Sequence, residues 1–304
     1  MEMKLIYIAG YGRSGSTLLE RILNCNKRVF ALGEVSKLLF LINDKNSLCS
    51  CGKNIYQCEF WSNIIRDIKN YDITKLERLQ NNFQSVNKYI KYNFVKSYDK
   101  DNMYRKFLVQ LFKIIMENVP EEVEYIIDSS KTTRNKFFRP IMLSKLAFLN
   151  VKVIHLVRDG RGCMWSNLKG SNKKMERGVN AYRPFAAFRT AVSWPMANVF
   201  AHIFQIISSK KDYCRIRYED FIDHPDETLK KIGTFLNINF QEEIKMIKKG
   251  KNIPRGHQLS GNRLRSERKI ILKKDIEWKT KLKLRYRFLF WILDWPFALY
   301  YKYK

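Results

Sequence analysis

The sequence predicts an α/β fold, a P-loop-type doubly wound parallel sheet flanked by helices. Short apolar runs rich in β-branched residues recur along the chain, as expected for buried parallel strands. Each run is followed by turn residues and then a helical pattern, which is the order of right-handed βαβ crossovers. The 304 residues, 45% of them hydrophobic, suffice for one large core. The predicted strands are Lys4–Ala9, Val123–Ile127, Val151–Val157 and Cys214–Tyr218.

The first strand runs into a glycine-rich loop and then into a predicted helix, Thr17–Leu23. This order makes an anion cradle, because the N–H groups at a helix N-terminus point at the bound ligand. A Walker A loop spaced like Gly10 and Gly15 would continue with lysine, but Ser16 follows, and the cation lies earlier, at Arg13. We therefore expect an anion other than the terminal phosphates of ATP. The predicted binding residues are Gly12, Arg13, Ser14, Gly15, Ser16 and Thr17.

A short apolar run, Val29–Leu32, precedes Gly33 and Glu34, and the next helix is predicted to begin near Val35. Glu34 is therefore expected at the carboxyl edge of the sheet, where ligands bind in this fold class. The alternative is that Glu34 is only a favourable charge at a helix N-terminus.

Three cysteines form a cluster at Cys49, Cys51 and Cys58. Their thiols would suit zinc if Cys25 or a histidine supplied a fourth ligand. Since the spacing is not that of a standard zinc finger, a reduced, loop-stabilising cluster without metal is favoured.

Residues 1–304 are expected to form one domain, since no repeat or low-complexity linker divides them. Residues 61–119 form a predicted helical insertion that caps the sheet or shapes an acceptor pocket. Further helices are predicted over Phe185–Ser208 and Asp226–Leu236.

The third and fourth loops carry further candidates. The strand Val123–Ile127 leads into Asp128 and Lys131, which mark either a site or an ordinary helix start. After the strand Val151–Val157, Arg158 and the helical hydroxyl of Ser166 are expected to converge on a second anion site.

The C-terminal segment, about residues 282–304, mixes basic and aromatic residues. Its uncharged run, Phe288–Leu293, is shorter than the about 20 residues needed to span a bilayer. A helix docked on the core is favoured over an interfacial helix on anionic membrane, because Asp294 and Pro296 interrupt the apolar face. Peripheral membrane contact through this segment is the alternative.

The charge of the chain is strongly basic, with 57 Lys and Arg against 29 Asp and Glu, a formal net charge of +28. This charge predicts attraction to polyanions, although a Lys-rich composition alone would also make the surface basic. No nucleic-acid-binding motif is present, so only non-specific binding at low salt is expected. Met1 to Lys4 lead directly into the first strand without an apolar leader, which favours a cytoplasmic protein.

The paired anion sites resemble those of the sulfotransferase family, which uses 3′-phosphoadenosine-5′-phosphosulfate (PAPS) as sulfuryl donor. The loop Gly12–Leu18 is similar to the family's 5′-phosphosulfate loop, and Arg158 with Ser166 is similar to its 3′-phosphate site. Tyr218, ahead of a His-Pro pair, and the late segment Gly261–Arg265 add to the likeness. The resemblance spans nearly the whole chain and is nearest to the branch of tyrosylprotein and many bacterial sulfotransferases.

The resemblance implies roles for these residues. Glu34 would be the general base for the acceptor hydroxyl, and Lys131 would contact the sulfonate. Arg13 and the helix N-terminus would stabilise the leaving oxygen, and no metal is required because a sulfuryl group carries less charge than a phosphoryl group. The nucleotide contacts would come from Tyr218, Asn262 and Arg263, with His257 near the same loop; a core tyrosine and a basic surface loop are the alternatives.

The predicted function is therefore transfer of the sulfuryl group of PAPS to an acceptor hydroxyl on a glycan, a tyrosyl residue or a small metabolite. The basic charge favours anionic acceptors such as an acidic peptide or an anionic glycan. The rival interpretations are a P-loop kinase or NTPase and, less favoured, a basic polyanion-binding protein.

Overall fold

The computed structural model of the protein describes residues 4–84, 103–133, 136–147, 149–170, 183 and 185–304. Its five strands form one parallel sheet in the order β2-β3-β1-β4-β5. These strands are β1 (Lys4–Ala9), β2 (Val29–Gly33), β3 (Tyr125–Asp128), β4 (Asn150–Val157) and β5 (Tyr213–Arg217). The fold is thus the predicted P-loop-type α/β sheet.

Strand β1 lies at the centre of the sheet, because Lys4 is in register with Tyr125 of β3 on one side and Asn150 of β4 on the other. All strands run in the same direction, so the loops that follow them emerge at one edge. A crevice at this carboxyl edge is where open α/β sheets bind their ligands.

Helices cover both faces of the sheet. The first group of helices comprises α1 (Ser16–Leu23), α2 (Leu38–Ile42), α3 (Trp61–Asp67), α4 (Ile73–Gln84), α5 (Met103–Asn118) and α6 (Arg139–Leu146). The second group comprises α7 (Gly160–Leu168), α8 (Ala186–Ile207), α9 (Tyr218–Asp223), α10 (Pro225–Leu236), α11 (Gln241–Lys248), α12 (Trp278–Lys281) and α13 (Leu284–Tyr300).

The alternation of side chains along β1 divides the core into two layers. Leu5 and Tyr7 pack into one cluster with the helices of the predicted insertion, and Ile6 and Ile8 pack into another with α1 and α10. A strand that is buried on both faces reads as a continuous apolar run, which is why KLIYIA was recognisable in the sequence.

The structure corrects several element boundaries. Val29–Gly33, read from sequence only as an apolar run, is a fifth, edge strand. Tyr218 begins helix α9 and does not close β5. The insertion contains α3, α4 and α5 within the predicted range, while its residues 85–102 lie outside the described residues.

The C-terminal helix α13 docks on the core, as favoured from the sequence. Phe290, Asp294 and Ala298 lie one turn apart on its buried face, and Phe290 contacts the ring of Trp194 at a centroid distance of 5.4 Å. The opposite face leaves Phe288 and Trp295 more than half exposed. Docking and membrane contact therefore involve different faces, and contact with anionic membrane stays a prediction. Within the described residues, no helix combines the length and the apolar character needed to cross a bilayer.

Candidate active site

A cavity of about 530 Å³ opens at the carboxyl edge of the sheet, and the loop after every strand lines it. Arg13 follows β1, Glu34 follows β2, Lys131 follows β3, Arg158 follows β4 and Tyr218 follows β5. The parallel sheet is the reason for this convergence, because it places the ends of all five strands together. Gly12, Gly15, Ser16, Thr17, Ser166 and Asn262 of the predicted set also line the cavity.

The first loop presents the N-terminus of α1 to the cavity. Gly15 precedes the helix with φ 89°, and a Cβ at this position would lie 2.5 Å from the Tyr218 ring. Glycine is therefore required by both backbone conformation and space. Since glycine has no side chain to cap the helix, the first-turn N–H groups near Ser16 and Thr17 are available to an anion.

Arg13 is held by backbone carbonyls, and no carboxylate of the described part of the chain forms an ion pair with it. Its backbone has φ 71°, and its Nη2 donates to the carbonyl oxygens of Ser166 at 3.3 Å and Gly170 at 3.2 Å. Ser14 turns its hydroxyl inward, where Oγ donates to the carbonyl of Tyr11 at 2.8 Å. The Ser14 side chain thus faces away from the cavity, and only its backbone remains for a ligand.

Arg158 lies beneath this loop. Its Nη1 donates to the Arg13 carbonyl at 2.9 Å, its guanidinium lies 4.6 Å from the centre of the Tyr218 ring, and its Nη2 is 2.9 Å from Oδ2 of Asp275. These contacts fix the plane of the guanidinium. An incoming phosphate would compete with Asp275 for the same donors.

Glu34, Lys37 and Lys131 form a compact group on the other side of the cavity. Oε1 of Glu34 lies 2.5 Å from Nζ of Lys131, and Oε2 lies 2.6 Å from Nζ of Lys37. Burial alone would raise the pKa of Glu34, but the charges of Lys131 and Lys37 outweigh it and hold that pKa well below its ordinary value. Glu34 is therefore an ionised carboxylate with two cationic partners.

A second glutamate, Glu20 on α1, connects the loops after β2 and β3. It accepts hydrogen bonds from the Gly33 N–H and the Ser129 hydroxyl, both at 2.7 Å. Complete burial raises the pKa of Glu20 to about 8, against the lowering effect of these two donors. Glu20 was missed in the sequence because it reads as an ordinary polar position of an amphipathic helix.

The segment from Ser260 to Arg265 lies beside the first loop and the start of helix α1. Asn262 donates its backbone N–H to Oγ1 of Thr17 at 3.3 Å, and Nζ of Lys37 donates to the hydroxyl of Ser260 at 2.9 Å. Arg263 begins a single 3-10 turn and points outward, where it pairs with Glu267 at 3.3 Å. Asn262 therefore lies at the cavity and the Arg263 side chain does not, so a nucleotide contact by Arg263 stays a prediction without support from this geometry.

Two sequence-based interpretations are corrected here. Asp128 is fully buried and pairs with Arg139 at 2.9 Å, so it supports the sheet edge and does not line the cavity. His257 lies beside the sulfur of Cys58 at 3.2 Å, and it is not one of the cavity-lining residues.

The cavity is strongly cationic. Among the residues that the structure describes, six Lys or Arg side chains and two carboxylates, Glu34 and Asp275, line it. The cations that sequence reasoning missed are Lys37, Lys136 and Arg189. Burial lowers the pKa of Lys136 to about 8, so its charge adjusts readily to an incoming group. This cationic lining suits an anionic ligand, and Glu34 places an ionised carboxylate beside it.

These features define a P-loop-type α/β protein whose cavity has a cationic lining and no Walker lysine after Gly15. The model of the Sulfotransferase family matches residues 6–242, so the chain belongs to that family and its activity is sulfuryl transfer. A comparison with curated proteins finds no match.

Solved structures support the fold. The sulfotransferase domain from the curacin biosynthetic pathway is similar with a TM-score of 0.56 and 19% identity, covering 100% of this chain and 99% of the other. The sulfotransferase domain of the Synechococcus PCC 7002 olefin synthase is similar with a TM-score of 0.51 and 18% identity, covering 100% and 97%.

Proposed function

We propose that this sulfotransferase moves the sulfuryl group of PAPS to an acceptor hydroxyl by in-line displacement. One observation carries the proposal: the helix N-terminus after Gly15 and the guanidinium of Arg158 line the same cavity as the Glu34 and Lys131 pair. Two separate anion-holding groups suit a donor with two separated phosphate-like groups. A carboxylate on the facing side suits an acceptor that must lose a proton.

The residues fit such a donor. The first-turn N–H groups at Ser16 and Thr17 would hold the phosphosulfate, while Arg158 and the Ser166 hydroxyl would hold the 3′-phosphate. The cavity volume of about 530 Å³ is within the range of about 300–1,000 Å³ usual for ligand sites. When bound, PAPS supplies an activated sulfuryl group whose leaving group is 3′-phosphoadenosine 5′-phosphate.

Glu34 would act as the general base. The acceptor hydroxyl gives its proton to a Glu34 oxygen as its own oxygen forms the new bond to sulfur, and the bond between sulfur and the bridging oxygen breaks. The negative charge that grows on the bridging oxygen is stabilised by Arg13 and the N-terminus of α1.

Glu34 is a weak base while both lysines neutralise it, because two adjacent cations hold its pKa low. Lys131 resolves this difficulty if it moves from Glu34 to the sulfonate. The loss of one adjacent cation raises the Glu34 pKa, and the same lysine then stabilises the transferring group. Donor binding would thus activate the base.

The acceptor is any hydroxyl compound that fits beside Glu34, and the cationic lining favours one that is itself anionic, such as an acidic peptide or a sulfated or carboxylated glycan. We infer a cytoplasmic setting with metal-independent transfer. Kinase activity is disfavoured, since Ser16 stands where the Walker lysine would reach the terminal phosphates.

The test combines a binding measurement with a transfer assay. Calorimetry compares 3′-phosphoadenosine 5′-phosphate with ATP, and sulfur-labelled PAPS is then incubated with a panel of hydroxyl acceptors. We expect the 3′-phosphorylated nucleotide to bind at least about tenfold more tightly, since its extra phosphate gains charged hydrogen bonds. The surface variant Arg28→Ala, at the opposite edge of the sheet, serves as the control for non-specific charge effects. Tighter binding of ATP would overturn the donor assignment.

A further inference from the structure

Four potential metal ligands lie together on one side of the protein. The sulfurs of Cys49, Cys51 and Cys58 and a ring nitrogen of His257 all lie within 4.8 Å of one another. Cys58 Sγ is 3.6 Å from Cys49 Sγ and 3.2 Å from His257 Nδ1. The histidine is the fourth ligand that the sequence left unassigned, and Cys25 is not a member of the group.

The distances suit a tetrahedral zinc ion. Zinc binds sulfur at about 2.3 Å and imidazole nitrogen at about 2.0–2.1 Å, so a tetrahedral site separates two sulfurs by about 3.8 Å and a sulfur from a nitrogen by about 3.6 Å. The two separations given above lie a few tenths of an ångström below these values, and no two of the four ligand atoms are more than 4.8 Å apart, which is about 1 Å above the tetrahedral separations. Small side-chain rotations would therefore admit the ion.

The backbone around the cysteines is organised as a tight turn. Cys49 donates its N–H to the Lys53 carbonyl at 2.9 Å, and Gly52 donates to the Cys49 carbonyl at 3.1 Å with φ 96°. A short antiparallel bridge between Leu48 and Asn54 closes the turn. This turn directs Cys49 and Cys51 towards Cys58, which lies just before helix α3.

The histidine is placed by separate contacts. The carbonyl of His257 accepts a hydrogen bond from Nε1 of Trp61, and the imidazole ring stacks near Phe30 at a centroid distance of 6.1 Å. Ser50 ties the two segments together, since its N–H donates to the Gln258 carbonyl at 3.1 Å and its hydroxyl donates to the Gly256 carbonyl at 2.7 Å. The ligands are thus positioned by bonds that do not depend on the thiols.

We propose that Cys49, Cys51, Cys58 and His257 bind a structural zinc ion. Three thiolates and one imidazole are a ligand set typical of zinc, and four protein ligands leave no open position for substrate. The site is therefore separate from the reacting groups, and the expectation that sulfuryl transfer needs no metal is unaffected.

The zinc would anchor the segment that reaches the cavity. From His257 the chain continues through Leu259, whose N–H donates to the Leu32 carbonyl of β2 at 3.0 Å, to Ser260, which accepts from Lys37, and to Asn262, which donates to Thr17. These contacts lie within five residues of the proposed ligand. Loss of zinc would loosen this segment and weaken donor binding.

The experiment measures the metal in the full-length protein purified without a polyhistidine tag. Mass spectrometry of metals should find about one zinc per chain. Cys58→Ser and His257→Ala should lose the zinc, while Cys25→Ser, a matched substitution of a half-buried cysteine outside the group, should keep it. His257→Cys should retain zinc in a four-thiolate site, which separates metal loss from a general folding defect.

A second measurement uses the wild-type protein, so it does not depend on whether a substituted protein folds. Replacement of zinc by Co²⁺ should give the visible absorption of a tetrahedral thiolate site, and a chelator should release the metal and make three more thiols reactive. Wild-type protein without bound metal, or with a Cys49–Cys58 disulfide in peptide mass spectra, would overturn the proposal. Because metal content is measured without any sulfuryl donor, the result stands or falls separately from the proposed function.

Discussion

Different interactions hold the charged side chains on the two sides of the cavity. The arginine wall, formed by Arg13, Arg158 and Tyr218 after β1, β4 and β5, holds its cations with carbonyl oxygens, an aromatic ring and one ion pair, between Arg158 and Asp275. The glutamate wall, formed by Glu34 and its two lysines after β2 and β3, holds its charges by mutual ion pairs. The backbone thus fixes much of the arginine wall, while in the proposed function the glutamate wall must exchange an ion pair before it reacts.

Removal of the carboxylate on the glutamate wall should have the largest effect. Glu34→Gln keeps the shape of the side chain and removes the base, so we expect kcat to fall by about 10²–10⁴. The dissociation constant for 3′-phosphoadenosine 5′-phosphate should be nearly unchanged, because the arginine wall is intact. Single-turnover transfer and calorimetry on the same preparation measure the two effects.

The control for this variant is Glu124→Gln, the same chemical change at the start of β3, on the opposite edge of the sheet. It should leave turnover intact. Full activity of Glu34→Gln would remove this residue from the mechanism and make the two walls equivalent.

Arg158→Ala should have the next largest effect. This variant should weaken donor binding and change turnover little. Loss of charged hydrogen bonds to a phosphate should weaken donor binding by about tenfold to a hundredfold. At saturating donor, kcat should change much less, because Arg158 lies on the wall away from the base. Arg28→Ala is the matched control, and an unchanged donor affinity in Arg158→Ala would discredit the two-anchor assignment.

Glu20 joins helix α1 to the loops of the glutamate wall and should give the smallest effect on activity, with a distinctive effect on stability. Its pKa is raised from its ordinary value of about 4.5 to about 8 in the folded protein. Its favourable contribution is therefore complete below about pH 4.5 and is lost as the pH rises towards 8, since the unfolded chain releases the proton first.

Glu20→Gln has no titrating group at this position, so it does not lose this stability as the pH rises. The melting temperature of the variant minus that of the wild type should therefore become more positive between about pH 5 and pH 8.5, a range that spans the raised pKa. Thermal melts of both proteins across that range measure the difference. A difference that stays constant with pH would show that Glu20 keeps an ordinary pKa and that α1 is not joined to the loops after β2 and β3 through a neutral carboxyl group.

The charged residues that directly follow the strands were largely predictable from the sequence. A buried apolar run that ends abruptly places the next polar residue at the sheet edge, which located Arg158 after β4 and Glu34 after β2. Lys37 was within reach of the same reasoning, because it lies three residues after Glu34 at helical spacing. The positions of these residues can be predicted from the sequence immediately around them.

Contacts between distant segments were not predictable. Asp275 meets Arg158 across 117 positions, and His257 meets Cys58 across 199, and neither lies in a segment with strand or helix periodicity. Arg263 was assigned from the likeness of the segment Gly261–Arg265 to the family, but the direction of its side chain depends on a single 3-10 turn. No pattern in the sequence reports that direction.

Strand β2 lies at the rim of the sheet, next to β3. The chain leaves the sheet at Gly33 and re-enters it at Tyr125 of β3, so the helices α2 to α5, which lie between these residues, are an excursion from one border of the fold. Its length and composition can change without breaking the ladders of β1, β4 and β5, which carry the arginine wall. The architecture thus lets evolution, or an engineer, replace the surroundings of Glu34 while the loops after β1, β4 and β5 are inherited intact.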